Sequence, residues 1–219
     1  MTLKLENLHY KYTNNGPDVL RGINYEFQKG IMYAIMGSSG SGKTTLISII
    51  AKLDKPTSGA IYYDGHDIAH INANKYRANN VSIIFQHYNL LANYTALDNV
   101  LLILNIINFQ GDKYKRAVDL LDEMNLSHEK HNTIVRFLSG GEQQRVAIAR
   151  ALASDSKIIL ADEPTSNLDK TNAFKVMELF EIIKVKYQRC IIIATHNDTI
   201  ATYADTILCI EKGLLIKKC

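Results

Sequence analysis

The chain has 219 residues, of which 47% are hydrophobic and 21% are charged, and its formal net charge is +3. This length can bury a full core in one large domain or two small ones, and the ordinary composition excludes a disordered or collagen-like chain. So small a positive charge gives no support for a nucleic-acid partner. The three cysteines, Cys190, Cys209 and Cys219, form neither a disulfide framework nor a metal-binding spacing, which fits a reducing compartment. Cys190 and Cys209 lie in apolar runs, so we expect these two to be buried thiols.

The apolar stretches of the chain bear on membrane association. The first residues lack the basic region and apolar run that mark a signal peptide. The longest apolar stretches, such as Asn99–Ile107, are far shorter than the roughly 20 residues that a membrane-spanning helix requires. We therefore expect a chain that does not cross a membrane by itself.

Short apolar runs and turn signals predict the first elements of the chain. In order, these are strands over 3–10, 23–27 and 30–37, a helix over 42–53, and strands over 59–65 and 81–86. From about Thr95 to Glu129 the apolar spacing is helical, which indicates an inserted helical subdomain. The remaining predicted elements are a helix over 141–154, a buried strand over 157–163, a helix over 172–187, a buried strand over 190–196 and two strands within 206–218.

Buried strands that alternate with helices predict an α/β fold with a mainly parallel sheet. In such a fold, the stretch GSSGSGKTT after the third strand matches the phosphate-loop pattern G-x-x-x-x-G-K-[ST]. Its backbone N–H groups and the following helix start favour an anion, Lys43 can reach the β- and γ-phosphates, and the Thr44 hydroxyl can bind Mg²⁺. The alternative is a chance turn before a helix. The predicted phosphate-binding residues are Gly37, Ser38, Ser39, Gly40, Ser41, Gly42, Lys43, Thr44 and Thr45.

Two acids, Asp162 and Glu163, end the apolar strand that reads KIILADEP. Acids at a strand end are unfavourable unless they are solvated, paired or facing a cation. In a phosphate-loop ATPase, Asp162 can hold Mg²⁺ and Glu163 can orient and deprotonate the attacking water. The alternative is an ordinary polar junction between a strand and a loop.

A second anion-binding candidate lies in LSGGEQQR, residues 138–145. Ser139 and Glu142 have the spacing of a capping box at the start of a helix. This cap explains the serine and the glutamate but not Gly140 and Gly141, which suit the close approach of an anion. Because the loop at 37–45 already provides a phosphate site, a second anion would have to come from another molecule.

The stretch LSGGEQQR strongly resembles the signature motif of the ATP-binding-cassette (ABC) ATPases, and the other motifs of that family occur in the expected order. By this resemblance Tyr12 is the aromatic residue that stacks on adenine, with Tyr10 as a rival. Gln86 resembles the family's Q-loop glutamine, which contacts Mg²⁺ and senses the γ-phosphate. The stretch 166–169 resembles the D-loop, and His196 resembles the switch histidine that contacts the γ-phosphate.

The resemblance covers nearly the whole chain and implies one nucleotide-binding domain over 1–219. Its ATPase core, which includes an N-terminal antiparallel β subdomain, would comprise 1–86 and 156–219. A helical subdomain would occupy about 87–155.

The family implies ATP and Mg²⁺ as ligands and assigns roles to the matching residues. The catalytic residues would be Glu163, His196 and Lys43, and the metal-binding residues would be Thr44, Gln86 and Asp162. ATP would also contact Tyr12 and residues 37–45. In the family two domains pair head to tail, so the signature of a second copy would complete the site through Ser139, Gly140, Gly141 and Glu142. A homodimer with two ATP molecules is the simplest arrangement, and a related partner ATPase is the alternative.

The resemblance also implies which partner protein the ATPase would drive. In this family the helical region after Gln86 contacts an integral membrane permease, which would place the chain at the cytoplasmic face of a bacterial membrane. The flanking sequences look most like the subfamily that serves peptide, lipoprotein and macrolide exporters. Two residues differ from the pattern of that subfamily and make the substrate class less certain than the ATPase assignment. Ser166 stands where the subfamily more often has glycine, and Asn197 stands where it often has aspartate.

Three alternatives remain beside an exporter ATPase. An importer ATPase shares every catalytic motif. A soluble cassette acting on DNA or ribosomes is less well supported, because about fifty residues separate Gln86 from Ser139, without the sustained heptads of coiled-coil arms. A catalytically dead regulatory cassette is disfavoured, since all the chemical residues are present.

Overall fold

The computed structural model describes residues 2–13 and 15–218. In chain order its strands are β1 (Thr2–Tyr10), β2 (Leu20–Gln28), β3 (Met32–Met36), β4 (Ser58–Tyr63), β5 (His66–Asp67), β6 (Val81–Ile84), β7 (Ile158–Asp162), β8 (Cys190–Ala194), β9 (Thr206–Glu211) and β10 (Leu214–Lys217). Its helices are α1 (Lys43–Ile50), α2 (Ala73–Asn79), α3 (Ala96–Ile106), α4 (Lys113–Glu123), α5 (Gly140–Ala153), α6 (Lys170–Tyr187) and α7 (Asp198–Ala201).

The strands form two sheets. The first is antiparallel, in the order β2-β1-β4-β5. The second has the order β10-β9-β3-β8-β7-β6, in which only the β9–β10 pair is antiparallel. The predicted fold class is confirmed: an α/β fold with a mainly parallel sheet, an N-terminal antiparallel sheet and an inserted set of helices.

The core is divided between the two faces of the parallel sheet, because successive strand residues point to opposite faces. In β7, Ile158 and Leu160 pack with α1 and the antiparallel sheet. Ile159 and Ala161 pack with α6 and with the inserted helices α3, α4 and α5. The strand is therefore buried on both faces, which explains why its first four residues are all apolar.

The inserted helices α3, α4 and α5 pack against one another. Helix α3 begins at a capping box made by Thr95 and Asp98, and Asp112 caps α4 through the N–H of Lys115. The helical stretch predicted from 95 to 129 is thus two helices with a break between them. None of the helices in 2–13 and 15–218 has both the length and the apolar character of a bilayer span.

Some predicted bounds were wrong. The strand expected over 81–86 ends at Ile84, and the helix expected to reach residue 53 ends at Ile50. Helices α2 and α7 were not predicted. Of the cysteines, Cys190 is buried and Cys209 is half-buried, so only Cys190 fits the expected buried thiol, and Cys219 lies outside the described residues.

Candidate functional site

The predicted site residues follow the carboxyl ends of parallel strands, which meet at one edge of the sheet. The phosphate loop follows β3, Gln86 follows β6, Asp162 ends β7, and His196 follows β8. At this edge lies a cavity of about 640 Å³, lined by Tyr12, Val19, Ser38, Ser39, Gly40, Gly42, Lys43, Thr44, Thr45, Gln86, Glu163 and His196. Most of the predicted nucleotide contacts are therefore brought together in one chain.

The phosphate loop leaves the start of α1 open toward this cavity. Gly42 precedes the helix with φ 107°, a backbone conformation that favours glycine, and no side chain among the described residues caps the helix there. The first N–H groups of α1 are therefore available to an anion. Lys43 is nearly buried, and its Nζ donates to the carbonyl oxygens of Gly37 and Ser38 at 2.8 and 3.1 Å.

Asp162 has the properties of a cation ligand. Its side chain is 7% exposed, and within the described part of the chain its Oδ1 is buried without a hydrogen-bond partner. Burial raises the pKa of Asp162 above its ordinary value, and the charge of Glu163 raises it further. A hydrogen bond from Thr44 and the charge of Lys43 lower the pKa, but by less. A buried carboxylate oxygen beside a hydroxyl is an oxygen-ligand pair that suits Mg²⁺.

Glu163 is held between two strands. Its backbone lies in the left-handed region with φ 48°, and its N–H donates to the carbonyl of Ala194 in β8 at 2.9 Å. Its Oε1 lies 2.8 Å from Nδ1 of His196. A non-glycine residue in this conformation costs free energy, and such strain occurs often at functional sites.

Gln86 lies in the cavity wall, and its loop is attached to the D-loop region of the same chain. Asn167 Nδ2 donates to the carbonyl of Gln86 at 3.0 Å. The guanidinium of Arg150 in α5 donates to the carbonyls of Tyr88 and Asn89, which follow Gln86. Asn167 lies in the stretch 166–169 that resembles the D-loop, but its contact with Gln86 was not predicted. Sequence reasoning missed Arg150 and the lining residue Val19, because neither carries a motif signal of its own.

The structure distinguishes the two candidate tyrosines. Tyr10 is 6% exposed, and its hydroxyl donates to Asp54 at 2.5 Å. Tyr12 is 70% exposed, lines the cavity, and its hydroxyl lies 2.7 Å from Oγ1 of Thr45. Only Tyr12 has a ring face available to a ligand.

The signature stretch lies away from this cavity. The predicted capping box is present: the Ser139 N–H donates to Glu142 Oε2 at 2.7 Å, and the Glu142 N–H donates to Ser139 Oγ at 3.3 Å. Within the described chain, residues 139–142 do not line this cavity. A Cβ on Gly141 would lie 3.2 Å from Cγ of Asn172, so close packing inside the chain gives this glycine a reason that sequence reasoning did not find.

Comparisons with known proteins agree with these motifs. A family profile described as ABC transporter matches residues 20–166. The chain is 39% identical over 212 residues to the uncharacterized ABC transporter ATP-binding protein YclH of Bacillus subtilis, with 96% of this chain and 94% of that protein covered. It is 41% identical over 219 residues to the lipoprotein-releasing system ATP-binding protein LolD of Rickettsia prowazekii, with 98% and 96% covered. The macrolide export ATP-binding/permease protein MacB of Campylobacter fetus is 40% identical over 220 residues, which are 98% of this chain and 34% of that protein.

Among solved structures, the chain resembles the ATP-binding cassette MJ0796 in a dimeric post-hydrolysis state bound to ADP and Pi. The TM-score is 0.89 at 34% sequence identity, and 99% of this chain and 97% of that chain are covered. The family match, the identity to its relatives and the shared fold show that the chain belongs to the ABC transporter family, as its ATP-binding and ATP-hydrolysing cassette.

Proposed function

We propose that two copies of this chain pair head to tail, so that the signature of each closes over ATP held in the cavity of the other. One observation carries the proposal: among the described residues, Ser139–Glu142 at the start of α5 do not line the cavity that the phosphate loop lines at the start of α1. Two further facts support it. Gly141 leaves the start of α5 without a Cβ, and the cassette MJ0796 was solved as a dimer.

In the proposed site, each group of the chain acts on a defined part of MgATP. Tyr12 stacks on adenine, and the N–H groups of 37–45 with Lys43 hold the β- and γ-phosphates. Thr44, Gln86 and Asp162 would hold Mg²⁺, and a bound Mg²⁺ would neutralise charge that develops on the phosphates. Glu163 accepts a proton from the attacking water.

His196 acts on the same step as Glu163. Its Nδ1 faces the carboxylate of Glu163, so it holds that carboxylate in place. The rest of the exposed ring is free to contact the γ-phosphate. The catalytic set is therefore Lys43, Glu163 and His196.

We further propose that ATP-driven closure moves a separate membrane permease and exports a peptide, a lipoprotein or an antimicrobial compound. In this proposal the ATPase core, 1–86 and 156–219, binds nucleotide, while the helical subdomain, about 87–155, contacts the permease at the cytoplasmic membrane face. The relatives named for lipoprotein release and macrolide export support this substrate class. An importer subunit is the alternative, and a soluble cassette ATPase is less well supported.

ATP-dependent dimerisation tests the shared site. Glu163→Gln should bind ATP, hydrolyse it very slowly and elute as a dimer when ATP and Mg²⁺ are present. Ser139→Arg is the matched control, because it places a bulky cation in the signature while leaving the cavity of its own chain unchanged. The double variant Ser139→Arg/Glu163→Gln should bind ATP as a monomer. If Glu163→Gln stays monomeric with bound ATP, the head-to-tail arrangement is wrong.

The transport direction needs a different experiment. A permease encoded by an adjacent reading frame, if there is one, should be purified with this chain and reconstituted into vesicles. ATPase activity that rises in the complex would support the permease as partner. Labelled substrate that leaves the compartment holding ATP supports export, whereas accumulation beside ATP supports the importer.

A further inference from the structure

Three potential metal ligands lie together in the helical region, outside the nucleotide cavity. Asp122 is in the last turn of α4, and His128 and His131 lie three residues apart in and just after a short 3-10 turn. One donor atom from each of these side chains lies within 4.8 Å of the others. The roles proposed above for ATP binding and hydrolysis use none of the three.

His131 forms the buried floor of this cluster. It is 2% exposed, and its Nε2 lies 3.1 Å from the carbonyl oxygen of Leu126 and 3.3 Å from Oδ1 of Asp122. Both oxygens are acceptors when Asp122 is ionised, so in the neutral ring Nε2 carries the proton and the lone pair lies on Nδ1.

The lone pair of His131 is the unexplained feature. Within the described residues, Nδ1 is buried and has no hydrogen-bond partner, although buried polar atoms are normally paired. The ring thus has the arrangement found in many metal sites. There, an N–H held by a carboxylate or carbonyl fixes the tautomer and leaves the other nitrogen for the metal.

His128 can supply a second ligand. Its ring centroid lies 4.9 Å from that of His131, and its side chain is exposed, so a rotation of this side chain would be needed to bring it to an ion bound at Nδ1 of His131. Asp122 is also exposed at the rim and adds the negative charge that a dication requires. Imidazole ligands favour Zn²⁺ and its transition-metal neighbours over Mg²⁺ or Ca²⁺.

We propose that His128 and His131 bind one transition-metal dication of the Zn²⁺ class, with Asp122 orienting His131 and balancing the charge. The ion would join the end of α4 to a segment that contacts two other elements. The carbonyl of His131 accepts from the N–H of Leu97 in α3, and Lys130 lies 4.0 Å from Glu142 in the signature. Metal binding therefore stabilises the segment that leads into the signature helix.

Zinc titration of the metal-free full chain, without nucleotide and without a polyhistidine tag, tests the proposal. A chromophoric chelator that competes for Zn²⁺ should report one ion per chain, and Zn²⁺ should raise the temperature of unfolding. His128→Gln should weaken binding at least tenfold and abolish that rise. Asp122→Asn should weaken binding by roughly 10- to 100-fold, the usual effect of losing such a carboxylate.

The variants are chosen so that loss of folding cannot be mistaken for loss of binding. His131→Gln changes a buried residue, so the exposed residues His128 and Asp122 carry the test. His66→Gln is the matched control, because His66 is an exposed histidine on β5 of the antiparallel sheet, outside the helical region. If the wild type binds no Zn²⁺, or His128→Gln binds it as tightly as His66→Gln does, the proposed site is wrong. Nucleotide is absent from every arm, so the outcome is independent of the proposed ATP-driven dimer.

Discussion

His196 and Glu163 lie at the ends of neighbouring strands and are joined directly, with Nδ1 of the histidine 2.8 Å from Oε1 of the glutamate. The side chain of Glu163 is 13% exposed and that of His196 is 65% exposed. Glu163 is also attached to β8 through its N–H and the carbonyl of Ala194. The backbone of Glu163 is therefore fixed by β8, and its carboxylate is held by the exposed imidazole of His196.

Loss of this contact should affect the rate more than the binding of ATP. We expect His196→Ala to lower turnover by about 10²-fold, the effect of misplacing a catalytic group by roughly 1 Å, while the Kd for ATP changes only a few-fold. Steady-state hydrolysis and equilibrium nucleotide binding measure the two quantities separately. His66→Ala, at an exposed site in the other sheet, serves as the control. Normal turnover in His196→Ala would contradict the positioning role.

Tyr12 and Tyr10 should separate nucleotide affinity from stability. The hydrogen bond to Asp54, with burial, raises the pKa of Tyr10 to about 12, so its hydroxyl is committed to the fold. Tyr12→Ala should weaken ATP binding by about tenfold or more, since the loss of base stacking costs about 1–3 kcal/mol. Tyr12→Phe keeps the ring and should retain most of the affinity. Fluorescence titration with a labelled ATP analogue measures the effect.

The companion variant is Tyr10→Phe. It removes one hydrogen bond, so the free energy of unfolding should fall by about 1 kcal/mol. Its affinity for ATP should equal that of the wild type. A loss of ATP affinity in Tyr10→Phe, with none in Tyr12→Ala, would mean that Tyr10 contacts the nucleotide and Tyr12 does not.

The elements that could be predicted from the sequence are those with continuous signals. Strands β3, β7 and β8 are buried at every residue, so β3 and β8 appear as uninterrupted apolar runs, and β7 does so up to Asp162. Helix α2 is different, because Tyr76 is its only buried residue. Helix α7 spans only four residues. Neither helix is long or apolar enough to show a periodic pattern.

The same distinction applies to the site. The glycines and lysine of the phosphate loop and the acids at a strand end can be recognised as site residues from their local spacing, and the fold brings them to one cavity. The contact of Asn167 with Gln86 joins residues 81 positions apart, and its acceptor is a backbone carbonyl. A backbone acceptor imposes no residue type on its position, so the D-loop motif that contains Asn167 does not reveal which residue Asn167 contacts.

The capping box at the signature should contribute stability that depends on pH. Burial alone would raise the pKa of Glu142, but hydrogen bonds from Ser139 and the charges of Lys130 and Arg145 outweigh it, and the pKa lies below its usual value. Because the folded pKa is below the unfolded one of about 4.3, this stability is present above that pH. It is lost as the pH falls through the folded pKa.

Glu142→Gln isolates the charge, since glutamine keeps the acceptor of a capping box. We expect the variant to be less stable than the wild type at about pH 7, and the difference to shrink as the pH falls through the lowered pKa of folded Glu142. Urea unfolding at a series of pH values measures it. Ser139→Ala, which removes the cap itself, should lose about 1 kcal/mol at neutral pH. A difference between Glu142→Gln and the wild type that is unchanged at low pH would show that the charge is not responsible.

Gly141 has two possible reasons to be glycine, and they can be separated. A Cβ there would lie 3.2 Å from both Cγ and Oδ1 of Asn172, whose side chain donates to Asp169 at 2.5 Å. Gly141→Ala should therefore lower turnover, through displacement of Asn172 or through a blocked approach of the partner's nucleotide. Asn172→Ala removes the internal obstacle.

In the shared-site arrangement the double variant Gly141→Ala/Asn172→Ala should remain slow, by at least tenfold, because the added methyl group still lies in the first turn of α5, which the second ATP would approach. Asn172→Ala alone should hydrolyse ATP at a rate close to that of the wild type. Both should bind ATP normally as monomers, since residues 139–142 of the described chain are not part of their own nucleotide cavity. Full recovery of turnover in the double variant would mean that Gly141 serves packing within one chain and not the nucleotide of another.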